Sequence, residues 1–151
     1  MASRAATTSE VGQAYFELHH QMHRVVEKAF GSVGLTVARV KVLMRLGECG
    51  PINQATLAAR LGYAPRSVTD SVDALVRDGL VTRREDENDR RARIVELTPA
   101  GAKALKRAQA ARLTVMDEIF GALSAKQRAD LVELLEYIRS ALPQAGEPCA
   151  Q

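Results

Sequence analysis

The sequence has no tryptophan and only six aromatic residues among 151, which disfavours a sheet-rich fold built on aromatic strands. Its two cysteines, Cys49 and Cys149, are a hundred positions apart with no second ligand nearby. That excludes a disulfide framework and a Cys-x-x-Cys zinc knuckle, and both are expected as reduced thiols. No stretch approaches 18 uncharged apolar residues, and the first ten residues carry no apolar segment, so neither a membrane span nor secretion is expected and a cytoplasmic location is. A Gly-rich phosphate loop, a G-x-S-x-G elbow and a metal cluster are all missing, so no nucleophile or cofactor can be named and no enzyme is expected. Asp86 and Asn88 hint at a calcium loop, but Arg90 and Arg91 fall where an oxygen ligand and a glycine are required. His19 and His23 are four apart on a helical pattern without an evident third ligand, so no metal is expected.

What is present is alanine, leucine and charge. Apolar residues make up 46% and charged residues 26%, a globular balance, and a chain this long buries roughly 68–70% of its extended surface. The net charge of +3 permits a polyanionic partner without demanding one. Its distribution says more: residues 36–63 carry four basic residues against one acidic, and residues 81–98 carry five against five. Ten charges in eighteen residues describe a solvated tip.

Apolar spacing predicts a mainly α protein with a small β-wing. Helices are expected over about 10–30 and 36–48, then a short one capped by Asn53, then 65–78 opened by Pro65 and closed by Gly79. Residues 80–84 and 93–97 alternate as strands about a polar loop. Thr98 caps a long helix to about 121, and Ser124 with Gln127 forms a capping box for a last helix reaching 142. The expected organisation is an N-terminal dimerisation helix (1–35), a winged helix-turn-helix (36–98), C-terminal dimerisation helices (99–142) and a polar tail (143–151). The central unit can fill its own core, whereas the end helices carry apolar faces that a second copy would cover.

Within the central unit, Leu57, Ala58, Leu61, Val68, Val72 and Leu75 face inward and lock two helices across a Gly62-Tyr63-Ala64 turn. Arg66, Ser67, Thr69, Asp70 and Asp73 face outward. Arginine can bond guanine edges, and serine and threonine hydroxyls suit phosphates or either base type, so double-stranded DNA is the expected partner. A carboxylate facing phosphates repels unless it accepts from a cytosine amine or is neutralised by Arg66, one turn earlier; of the two, neutralisation of Asp70 by Arg66 is expected. Ala64 leaves the second helix without a side-chain cap.

Asp89, Arg91, Leu97 and Thr98 fit a D-x-R-x5-L-T signature without a gap, and through it the chain resembles the MarR family of winged helix-turn-helix regulators. The likeness extends upstream through residues 57–62, 67–69, 72–75 and 79–81, and downstream through Pro99, Ala100 and Gly101. It implies an obligate homodimer that binds a pseudo-palindromic operator, a ligand-responsive regulator and a repressor. It also implies that each wing reaches a minor groove with Arg91 at its tip, oriented by Asp89, with Arg90 beside them. A minor groove attracts an inserted arginine by its negative potential, which supports the same assignment. The effector implied is a small aromatic or phenolic acid held where the dimer helices meet the winged unit. Tyr15, His19, His23, Arg39 and Arg45 are its candidate contacts. A winged-helix protein-interaction module and a non-specific architectural DNA binder are the alternatives, separable by salt dependence and by the ratio of specific to random-site affinity.

Overall fold

A computed structural model describes residues 5–143. In chain order it runs α1 (Thr8–Ser32), α2 (Val37–Cys49), β1 (Ile52–Asn53), α3 (Gln54–Leu61), α4 (Pro65–Arg77), β2 (Val81–Glu85), β3 (Arg93–Leu97), α5 (Pro99–Phe120) and α6 (Ala125–Ser140). Residues 144–151 of the expected tail, Cys149 included, lie outside the described residues.

Helix ends follow their caps. Glu10 N–H donates to Thr7 Oγ1 at 3.2 Å and Thr7 N–H returns a bond to Glu10 Oε2 at 2.8 Å. This capping box starts α1 at Thr8, two residues before the expected start. The backbone N–H of Thr7, with its hydroxyl, holds the Glu10 carboxyl below the usual carboxylate range. The Ser124 and Gln127 box opens α6 as expected, and Ala64 leaves α4 to begin at Pro65 with no side-chain cap.

The core lies where α2, α3, α4, the sheet and the first half of α5 meet. Val42, Leu43, Leu57, Val68, Val72, Leu75, Val95, Ala104 and Ala108 are fully excluded from solvent. The sheet is antiparallel in the order β1, β3, β2, with Val81 opposite Leu97, Glu85 opposite Arg93, and Ile52 opposite Val95. Sequence reading missed β1, because two residues cannot show an alternation. Its effect is to tie the start of α3 to the wing.

Thr98 joins two parts of the fold. Its hydroxyl accepts from Gly101 N–H at 3.0 Å and donates to Gly79 O at 2.7 Å, so one side chain caps α5 and fixes the turn after α4. A Cβ on Gly101 would lie 1.9 Å from the Leu80 carbonyl oxygen, so only glycine permits this approach of α5 to β2.

Cys49, expected as a reduced thiol, is disulfide-bonded, and the Arg60 guanidinium lies 3.3 Å from its sulfur. Spacing along a sequence does not decide whether a thiol is free, because the fold sets which sulfurs come within bonding distance.

Candidate nucleic-acid interface

The turn between α3 and α4 depends on Gly62, which adopts the left-handed conformation at φ 64°. Tyr63 N–H then bonds Ala58 O at 3.2 Å, and α4 leaves at a fixed angle with Val68, Val72 and Leu75 locked into the core. That packing turns Arg66, Ser67 and Asp70 to solvent and leaves Thr69 half-buried. Two ion pairs brace the helix. Arg83 of β2 binds the Asp73 carboxylate, and Arg39 of α2 binds Asp78, just past the end of α4, at 3.0 Å. Asp73 is therefore committed to the wing and withdrawn from the set of outward contacts.

Arg66 and Asp70 form no ion pair, contrary to expectation. Exposed pairs one turn apart gain only about 0.2–0.5 kcal/mol, which two solvated side chains need not follow. Asp70 therefore stays an open, exposed acceptor.

The wing is a short hairpin with Arg90 and Arg91 exposed at its tip. Asp89 Oδ1 accepts from Arg91 backbone N–H at 2.9 Å, and Asp86 Oδ1 accepts from Asn88 N–H at 2.8 Å. Asp89 thus orients Arg91 through the main chain, shaping the turn, and leaves the guanidinium without an ion pair among the described residues. Arg93 is tied back to Arg90 O at 2.8 Å and to Glu85 at 3.4 Å, which stiffens the base of the tip. Arg66, Ser67, Thr69, Asp70, Asp89, Arg90 and Arg91 thus lie on two neighbouring projections, the N-terminal half of α4 and the wing tip. Between them opens a cleft of about 230 Å³ lined by Asn53, Gln54, Thr69, Arg91 and Arg93 among others. Gln54 was missed, because its role depends on β1.

The expected effector contacts are not brought together. Tyr15, His19 and His23 form a row on α1, with ring centroids 5.8 and 6.4 Å apart, ending where His23 Nδ1 lies 3.5 Å from Glu27. Arg39 is paired with Asp78, and Arg45 with Glu48 at 3.1 Å. None of the five lines the larger groove, about 830 Å³ between α1 and α5, whose walls include Arg24, Val25, Lys28, Ala29, Thr114 and Val115. Arg24 and Lys28 make no ion pair among the described residues. Periodicity placed all of these side chains on helices, but it does not say which helices meet.

Residues 35–92 match the family model described as MarR family. The chain is 26% identical over 132 residues to the transcriptional repressor YetL of Bacillus subtilis, covering 86% of this chain and 79% of that one. Among solved structures it is similar to a mutant MarR from E. coli complexed with operator DNA, at TM-score 0.75 and 26% identity, over 88% of this chain and 94% of that one. It is also similar to wild-type apo MarR from E. coli, at TM-score 0.78 and 24% identity, over 93% and 100% of the two chains. With its wing signature, its helix-turn-helix and its long flanking helices, the chain carries a MarR family domain over residues 35–92.

Proposed function

We propose that the protein is a ligand-responsive transcriptional repressor that binds a pseudo-palindromic operator as a homodimer, α4 in the major groove and Arg91 in the adjacent minor groove. The observation that carries this reading is the pairing of a rigidly braced α4, exposed at Arg66, Ser67 and Asp70, with an unpaired arginine at the tip of a wing whose turn Asp89 fixes. Similarity to a family member solved on its operator supports it.

Dimerisation rests on the end helices. No residue of α6 is buried, and Leu134, Ile138, Leu18 and Leu113 are all exposed. A solitary helix of this length is marginal in water, so α6 needs a surface to lie on, and a second copy supplies it by symmetry. Recognition helices one turn apart, about 34–36 Å, would then set half-site centres about 10 bp apart.

The effector fits the α1–α5 groove, lined by Arg24 and Lys28, by the carboxylate of Glu118 on the facing helix and by apolar Val25, Ala29 and Val115; two cations against one carboxylate suit a small acid with an apolar or aromatic body. Arg24 and Lys28 take the place of Arg39 and Arg45, whose guanidinium groups are already engaged. Footprinting the duplex upstream of the protein's own gene tests the reading: two symmetric half-sites are expected. Protection that ignores sequence would favour an architectural binder, and no protection would favour a protein-interaction module.

A further inference from the structure

Gln54 begins α3 and reaches across the cleft to the recognition helix. Its Nε2 donates to Thr69 Oγ1 at 2.9 Å, and Thr69 Oγ1 donates to Pro65 O at 3.0 Å. The other amide atom, Gln54 Oε1, is buried without a hydrogen-bond partner. A threonine hydroxyl has one hydrogen and two lone pairs. Here the hydrogen and one lone pair are already used. What remains for DNA is a single acceptor site, and a half-turn of the Gln54 amide would not change that. Thr69 would then give its hydrogen to Oε1 and still meet DNA only as an acceptor.

We infer that Gln54 is a positioning residue for base recognition: by donating into one lone pair of Thr69 Oγ1 it polarises the hydroxyl and strengthens the bond that keeps its hydrogen on Pro65 O, so that the start of α4 meets DNA as an acceptor and selects the strand carrying a base amine. This rests on the DNA-binding reading above. Phosphate oxygens, guanine N7 and O6, adenine N7 and thymine O4 all accept, and none can pair with an acceptor-only hydroxyl. The major-groove donors are adenine N6 and cytosine N4. Each base pair carries one of them, so the choice is between A·T and C·G on one side and T·A and G·C on the other. Asp70, the next residue, exposed and unpaired, also only accepts and adds to the same preference.

The test uses the full chain and duplexes with a randomised centre. Selection by the wild type should yield one position per half-site occupied by adenine or cytosine on a given strand. Exchanging the strands of that base pair should weaken binding about tenfold. Gln54→Met removes the donor that reinforces the bond from Thr69 to Pro65 O, so that the hydroxyl can turn from that carbonyl and donate to DNA; it should remove most of this discrimination while leaving affinity for random duplex and the thermal midpoint unchanged. Thr69→Val should abolish the discrimination and Thr69→Ser should keep it. Because Gln54 acts only through Thr69, the double variant Gln54→Met with Thr69→Val should discriminate no worse than Thr69→Val alone. Three results overturn the proposal: a selected guanine or thymine at that position, Gln54→Met weakening every duplex alike, or the two substitutions adding. A wild type that selects no sequence at all would instead refute the operator-binding reading on which the proposal rests.

Discussion

Leu75 of α4 and Leu134 of α6 occupy similar places on amphipathic helices, yet the first is 0% exposed and the second 60%. The contrast extends to the regions around them. The winged unit closes its core from within one chain, using α3 and α4 packed about buried Leu57, Ala58 and Val68, a three-stranded sheet and the start of α5. The end helices use the same residue types and reach no such closure: α1 buries only Phe30, and α6 buries nothing. One region presents a surface to DNA because its interior is complete. The other leaves its apolar faces open, and in the proposed homodimer a second copy covers them and sets the spacing of the two DNA-facing surfaces.

Replacing Leu134 and Ile138 together by aspartate breaks the comparison most severely. Sedimentation should then report a monomer at micromolar protein, and operator affinity should fall by about 10²–10⁴-fold as bivalent contact is lost. A variant that stays dimeric would show that α6 is not the interface. In the winged unit, Leu75→Ala should cost about 2–5 kcal/mol of stability by opening a cavity in a closed core, read by denaturant unfolding. If that cost were instead below about 1 kcal/mol, the core would be less complete than its burial implies.

Arg91→Ala should weaken operator binding by about 1–3 kcal/mol in a titration at fixed salt, with the thermal midpoint nearly unchanged because the tip is exposed. Asp89→Ala should act in the same direction but more weakly, through the backbone turn it caps.

The smallest effect is at the start of α1. Because Glu10 is held below its ordinary pKa near 4.5, its contribution to the cap is present above that value and lost as pH falls through the lowered one. Helicity of the first turn, followed by NMR as the solution is acidified, should fray in that window, and Glu10→Gln should remove the dependence.

The fold was largely legible because its signals are local. Glycine and proline punctuation, a capping box and apolar spacing placed six helices and a hairpin, and the hairpin strands lie within one residue of expectation. What the sequence hid depends on which elements meet. Asp73 looked outward by periodicity, but β2 brings Arg83 to it. Asp89 was expected to hold a guanidinium and instead bonds a backbone N–H. Arg39 and Arg45 were read as effector contacts, yet each already has a carboxylate partner. Gln54 carried no signal, since a two-residue strand sets its place.

The central claim is that one self-contained DNA-reading unit is presented twice by end helices that close only in a dimer. Hydroxyl-radical footprinting of the full chain on its selected duplex tests this most directly. Two protected patches related by a two-fold axis, with centres about 10 bp apart, are expected, together with lighter protection of the flanking minor grooves that disappears in Arg91→Ala. A single unsymmetrical patch, left by a protein that sediments as a monomer, would contradict it.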